Sequence, residues 1–81
     1  MSTLRDPAKK KALCARLARI EGQLRGVQRL VSTDADCHAI AQQLSAARKA
    51  LDKSFYAMVA CMIEQGDHDP QAIAQTLSKF A

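Results

Sequence analysis

The chain has 81 residues, 48% of them hydrophobic, a formal net charge of +4, no tryptophan and three aromatic side chains, Phe55, Tyr56 and Phe80. A single domain of this size buries a small share of its surface and gains by borrowing core from a second copy, and a composition poor in aromatics and rich in alanine favours packed helices over a sheet. No apolar run approaches the roughly 20 residues that a bilayer crossing needs, and the N-terminal segment has no signal-peptide core, which points to a cytoplasmic protein with no membrane role.

The first predicted helix runs over about 7–31. Asp6-Pro7 supplies a cap and a proline at the first helical position, and Leu13, Leu17, Ile20, Leu24, Val27 and Val31 recur at alternating spacings of four and three. Gly22 and Gly26 interrupt it, each costing about 1 kcal/mol relative to alanine, and close helix packing would compensate. This segment is basic: Arg5, Lys9, Lys10, Lys11, Arg16, Arg19, Arg25 and Arg29 face only Asp6 and Glu21. A solvated helix face and a footprint for DNA phosphates both explain such a charge, and charge alone does not choose between them.

Capping residues at Ser32, Thr33, Asp34 and Asp36 introduce a second helix, about 34–65, with the stripe Cys37, Ile40, Leu44, Ala47, Leu51, Ser54, Met58 and Cys61. Gly66-Asp67-His68-Asp69-Pro70 ends it and opens a short third helix over about 70–80 carrying Ile73, Leu77 and Phe80. The whole of 1–81 reads as one all-α domain. A helix of about 30 residues is some 45 Å long, too long to be covered by one long and one short partner within the chain. Its stripe has the coiled-coil period, so the simplest closed assembly is a two-fold dimer with antiparallel long helices.

In the cytosol Cys14, Cys37 and Cys61 are expected to be reduced, and to serve as packing residues, ligands or reactive thiols. Cys37 and Cys61 are about 36 Å apart along one helix and cannot meet within a subunit, but an antiparallel pair crossing near Lys49 brings Cys37 of one chain to the level of Cys61 of the other. On a straight helix Cys61 falls about 120° from Cys37, whereas Met62 falls about 20° away. Cys37 lies in the first turn of its helix, where backbone N–H groups and the helix dipole favour thiolate and the nearby Asp34 and Asp36 oppose it. Cys14 reads as a packing residue, His38 points about 100° away from Cys37, and His68 in its polar turn reads as a surface histidine. Arg16, Arg19, Arg48, Lys49 and Lys53, with Gln23 as a polar contact, flank the stripes without belonging to them and form the expected DNA-binding set.

The run Arg19-Ile20-Glu21-Gly22-Gln23-Leu24-Arg25-Gly26-Val27, followed by Asp36-Cys37 and by Gln42-Gln43-Leu44-Ser45-Ala46-Ala47-Arg48-Lys49-Ala50-Leu51, resembles the CsoR/RcnR/FrmR family of copper-, nickel/cobalt- and formaldehyde-responsive repressors, which includes persulfide-sensing members. The resemblance runs without a gap from about Ala12 to Gln65. It implies an all-α antiparallel four-helix-bundle dimer, assembled as a dimer of dimers. It also implies operator DNA held on a basic surface of the first two helices, and an inducer site between subunits at the cysteine that Cys37 matches. Departures bear on the inducer. The histidine and second cysteine of the copper-sensing pattern fall at Met62 and Gly66; the nickel/cobalt pattern also needs histidine at Met62 and another near the N-terminus; the second cysteine of the persulfide-sensing pattern falls at Gly66; and the N-terminal proline of the formaldehyde-sensing pattern is replaced by Ser2.

Two inducer chemistries fit what remains. Cys37 and Cys61, with Met62, are soft ligands suited to Cu(I), the one metal or cofactor the residues suggest. Alternatively the two thiols are bridged oxidatively or through sulfane sulfur, and without a histidine or third cysteine this thiol chemistry stands slightly ahead. A different class of function is a helical, oligomeric adaptor that binds protein through its stripes and has no DNA role. No carboxylate pair, catalytic triad or phosphate loop of convincing spacing points to an enzyme.

Overall fold

The computed structural model describes residues 3–81 and folds them into three helices, α1 (Pro7–Ser32), α2 (Cys37–Gln65) and α3 (Pro70–Phe80), with no strand among the described residues. Met1 lies outside that range, as does Ser2, the position set against the N-terminal proline above. The Asp6 carboxylate accepts from the Ala8 and Lys9 amides ahead of Pro7, and Asp69 does the same for Gln71 ahead of Pro70, so both predicted cap-and-proline starts form.

α2 begins later than the sequence suggests, at Cys37 rather than near residue 34. Asp34 is spent on ending α1: it takes a left-handed φ of 57°, its amide donates to the Val31 carbonyl at 3.3 Å, and the Ala35 amide reaches back to Leu30 at 2.9 Å. That pair of bonds is the Schellman closure of a helix, and it leaves Asp36 to cap α2 by accepting from the His38 and Ala39 amides. At its other end α2 stops on Gly66, whose φ of 82° is left-handed. A Cβ built there meets nothing within 4 Å, so backbone strain alone opposes a side chain. Gly66→Ala is therefore expected to lower the unfolding free energy by about 1 kcal/mol in urea. Gly22→Ala, in a helix interior with equally open space, should raise it; an unmoved midpoint in Gly66→Ala would show that the helix end shifts to relieve the strain.

α1 and α2 pack as an antiparallel hairpin whose seam is narrow. Ile20 and Val27 from α1 and Ala47 and Ser54 from α2 are buried, and Ser54 satisfies its hydroxyl by donating to the Ala50 carbonyl at 3.0 Å. These positions share one heptad register in each helix, 13–20–27 in α1 and 40–47–54–61 in α2. The other half of each apolar stripe stays open: Leu17 and Leu24 are 40% and 41% exposed, Leu44 and Leu51 48% and 45%. The two glycines take no part in the seam. Gly22 and Gly26 have nothing within 4 Å of a Cβ, because they lie about 200° and 120° around α1 from Ile20, so the close packing expected of them is not made within the chain.

The result is a helical hairpin with much of its apolar surface open. Its surface of 6159 Å² exceeds the roughly 4,800 Å² typical of a compact monomer of this mass, and its radius of gyration of 16.0 Å exceeds about 12 Å. No helix among the described residues is long and apolar enough to cross a membrane.

Candidate functional site

The seam divides the hairpin into two flanks of opposite chemistry. On one flank Arg16, Arg19 and Gln23 of α1 line a shallow groove with Ala50 and Lys53 of α2, above the buried Ile20 and Ser54. Four of the six residues expected to contact DNA therefore converge on one surface. Among the described residues Arg16, Arg19 and Lys53 make no ion pair, so their charges are available to an outside anion. Lys49 sits one turn before Lys53 and lines a hollow with His38, Gln42 and Ser45 on the outer side of α2. Arg48 stands apart: five residues before Lys53, it lies about 140° around the helix, on the side of Leu44 and Leu51.

The opposite flank is apolar. Leu13 and Leu17 of α1 and Leu51, Phe55 and Met58 of α2 line an open groove of about 250 Å³ there. Cys37 opens α2 on this side, in register with Leu44 and Leu51, and its thiol is exposed and free. The first free N–H groups of α2 donate to Asp36, at 3.0 Å from His38 and 3.4 Å from Ala39. Met62, half-buried, falls about 20° from Cys37 around the helix, so thiol and thioether share the open flank at opposite ends of α2. Cys61 does not share it. It continues the seam register of Ala47 and Ser54 and sits half-buried towards α1, beside Leu4 and Lys9. Cys14 is exposed on α1. Among the described residues no group of three histidine, cysteine or carboxylate side chains could hold a metal within one chain.

The N-terminal basic residues divide in a way that composition could not show. Arg5 pairs with Asp67 and Lys9 with Glu64, both across the hairpin end, so these two cations already have partners in the chain. Gln65 completes the junction by accepting from the Arg5 amide at 3.0 Å and donating to the Thr3 carbonyl at 2.9 Å and to Asp67 at 3.0 Å. The Gln65 amide, with Arg5, holds the Asp67 carboxyl down at about 2, and the bond to Glu64 holds the Lys9 ammonium above its usual range. An acidic run at 64–69 opposite a basic N-terminus is the sequence signal for this junction, and only the antiparallel hairpin makes it readable. His68 corrects the surface reading: its side chain is 10% exposed, and its Nε2 is buried without a hydrogen-bond partner, 3.6 Å from Asp67.

A family model described as metal-sensitive transcriptional repressor matches residues 9–80. The chain is 40% identical over 73 residues to the copper-sensing transcriptional repressor CsoR of Bacillus subtilis (strain 168), an alignment covering 80% of this chain and 71% of the relative. No solved structure matches.

Proposed function

The chain belongs to the metal-sensitive transcriptional repressor family, and we propose that it is a cytosolic repressor that holds operator DNA on the basic flank of the α1–α2 hairpin and lets go when an inter-subunit sulfur site is filled. Family and relative are transcriptional repressors rather than enzymes. The observation that carries the proposal for this chain is the sorting of charge: Arg16, Arg19 and Lys53, unpaired, line one groove with Gln23 while the other flank is apolar. A helical adaptor has no need of unpaired cations gathered from two helices, whereas phosphates reward them by releasing condensed counterions.

The apolar flank supplies the assembly. Two copies joined through Leu17, Leu24, Leu44 and Leu51 complete an antiparallel four-helix bundle, and Tyr56, Ile63 and Phe80, 55%, 57% and 67% exposed, leave a second apolar surface towards α3 for joining two such dimers. In the dimer the level of Cys37 meets the level of the partner's Met62. A thiolate and a thioether are soft donors, Cu(I) accepts low coordination, and the relative that matches is named for copper. Cu(I) therefore moves ahead of the sulfur chemistry that the sequence placed first. Cys37 with the partner's Met62 forms the core of the site, and Cys61 joins only if the bundle twists enough to bring it round from the seam. An oxidative bridge between Cys37 and the partner's Cys61 is the second reading, favoured by the exposed Cys37 thiol.

The basic flank is tested by operator titration across salt concentrations. The Arg16→Ala/Lys53→Ala double variant is expected to weaken binding by about tenfold or more and to flatten the slope of log affinity against log salt by about two. Arg48→Ala, on the other side of α2, should change both much less. Equal effects from Arg48 and from the pair would move the interface off this flank.

A further inference from the structure

Residues 3–6, just ahead of α1, are tied down over the far end of α2. Four separate bonds do this: Gln65 grips the Thr3 carbonyl and the Arg5 amide, Arg5 pairs with Asp67, and Lys9, in the first turn of α1, pairs with Glu64. Beneath them lies a cavity of about 200 Å³, walled by Leu4, Arg5 and Lys9 above and by Cys61, Glu64 and Gln65 below. Of the three free thiols, Cys14 and Cys37 are exposed and Cys61 is half-buried, with the tied segment as its cover on this side.

We infer that residues 3–6, with Lys9 in the first turn of α1 as a second anchor, act as a strap that gates Cys61, closed while the Arg5–Asp67 and Lys9–Glu64 pairs hold and open when they break. The pairs are solvent-facing, so each is weak and screened by salt, and the strap samples its open state readily. The device works in both directions: a group fixed on Cys61 occupies space that the closed strap needs, and so favours the open strap. The strap leads directly into α1, the helix that carries Arg16 and Arg19. The gating rests on the geometry of one chain and stands whether or not Cys61 senses an inducer.

The test uses the full-length protein, reduced, with iodoacetamide as probe. The Cys61 sulfur attacks the methylene carbon, an S–C bond forms as the C–I bond breaks, iodide leaves and the thiol proton passes to solvent. Rates at Cys14, Cys37 and Cys61 are read separately by peptide mass spectrometry. Arg5→Ala/Lys9→Ala is expected to speed alkylation of Cys61 by about three- to tenfold, in line with the loss of two exposed pairs, with Cys14 and Cys37 unchanged. One molar sodium chloride should speed Cys61 in the wild type and not in the variant, which checks the gate without any mutation, and Asp67→Asn should give an intermediate rate. Conversely, carboxamidomethylated Cys61 should accelerate hydrogen exchange at the Arg5 amide. An unchanged Cys61 rate in the double variant and in salt overturns the strap. So does a rate that follows protein concentration instead, since the partner subunit would then be the cover. Neither readout involves DNA or copper, so the outcome is separate from that of the repressor assignment.

Discussion

Leu51→Glu is expected to reduce the protein to a monomer at micromolar concentration in sedimentation velocity, with much of its helical signal lost. Leu51 is 45% exposed in the single chain and lies midway along the open stripe of α2, where the proposed two-fold axis near Lys49 would bring it close to its own copy. Burying two uncompensated carboxylates there costs several kcal/mol, on the order of a thousandfold in the dimer dissociation constant. The surface of 6159 Å² shows why the monomer then suffers: half of each apolar stripe has no cover within the chain. Ile63→Glu, on the back of α2, should instead stop assembly at the dimer. A monomeric wild type, or an unchanged assembly in Leu51→Glu, would remove the bundle and with it the inter-subunit site.

Much of this architecture is legible in the sequence because it is local. Asp6-Pro7, Asp69-Pro70 and Gly66 announce helix ends through caps and a left-handed residue, and each does what its type suggests. The stripe on α2 is legible too, but its division is not. A period of 3.5 gives two adjacent rows, 37–44–51–58 and 40–47–54–61, and only packing against α1 decides which is buried. That decision separates Cys61, on the buried row, from Cys37 and Met62 on the open flank. The delayed start of α2 was hidden for a related reason, since Ser32, Thr33, Asp34 and Asp36 can all cap, and the choice depends on Asp34 closing α1. The pairings of Arg5 and Lys9 span about 60 residues of chain, beyond any local pattern, so all eight N-terminal cations looked alike.

The same division of rows makes the three sulfur residues separable. Cys37→Ala is expected to abolish release from operator DNA by Cu(I) under reducing conditions, while affinity for the operator without copper stays within about twofold, because truncating an exposed side chain costs little stability. Met62→Leu conserves volume and removes only the thioether, so it should raise the copper concentration needed for release by about tenfold or more with folding nearly intact. Cys61→Ala is the decisive contrast. If the site is Cys37 with the partner's Met62, Cys61→Ala responds to copper as the wild type does, since its side chain lies on the α1 side of the helix. If instead two thiols are bridged, a mild oxidant removes two electrons and two protons from Cys37 and the partner's Cys61 and leaves a disulfide. A covalent dimer then forms on a non-reducing gel in step with loss of operator binding, and it is absent in Cys61→Ala. Cys61 lies about 120° around α2 from Cys37, whereas Met62 lies about 20° from it, and that difference separates the two geometries. Full copper response in Met62→Leu together with its loss in Cys61→Ala would show that the bundle twists Cys61 into the site and leaves Met62 outside it.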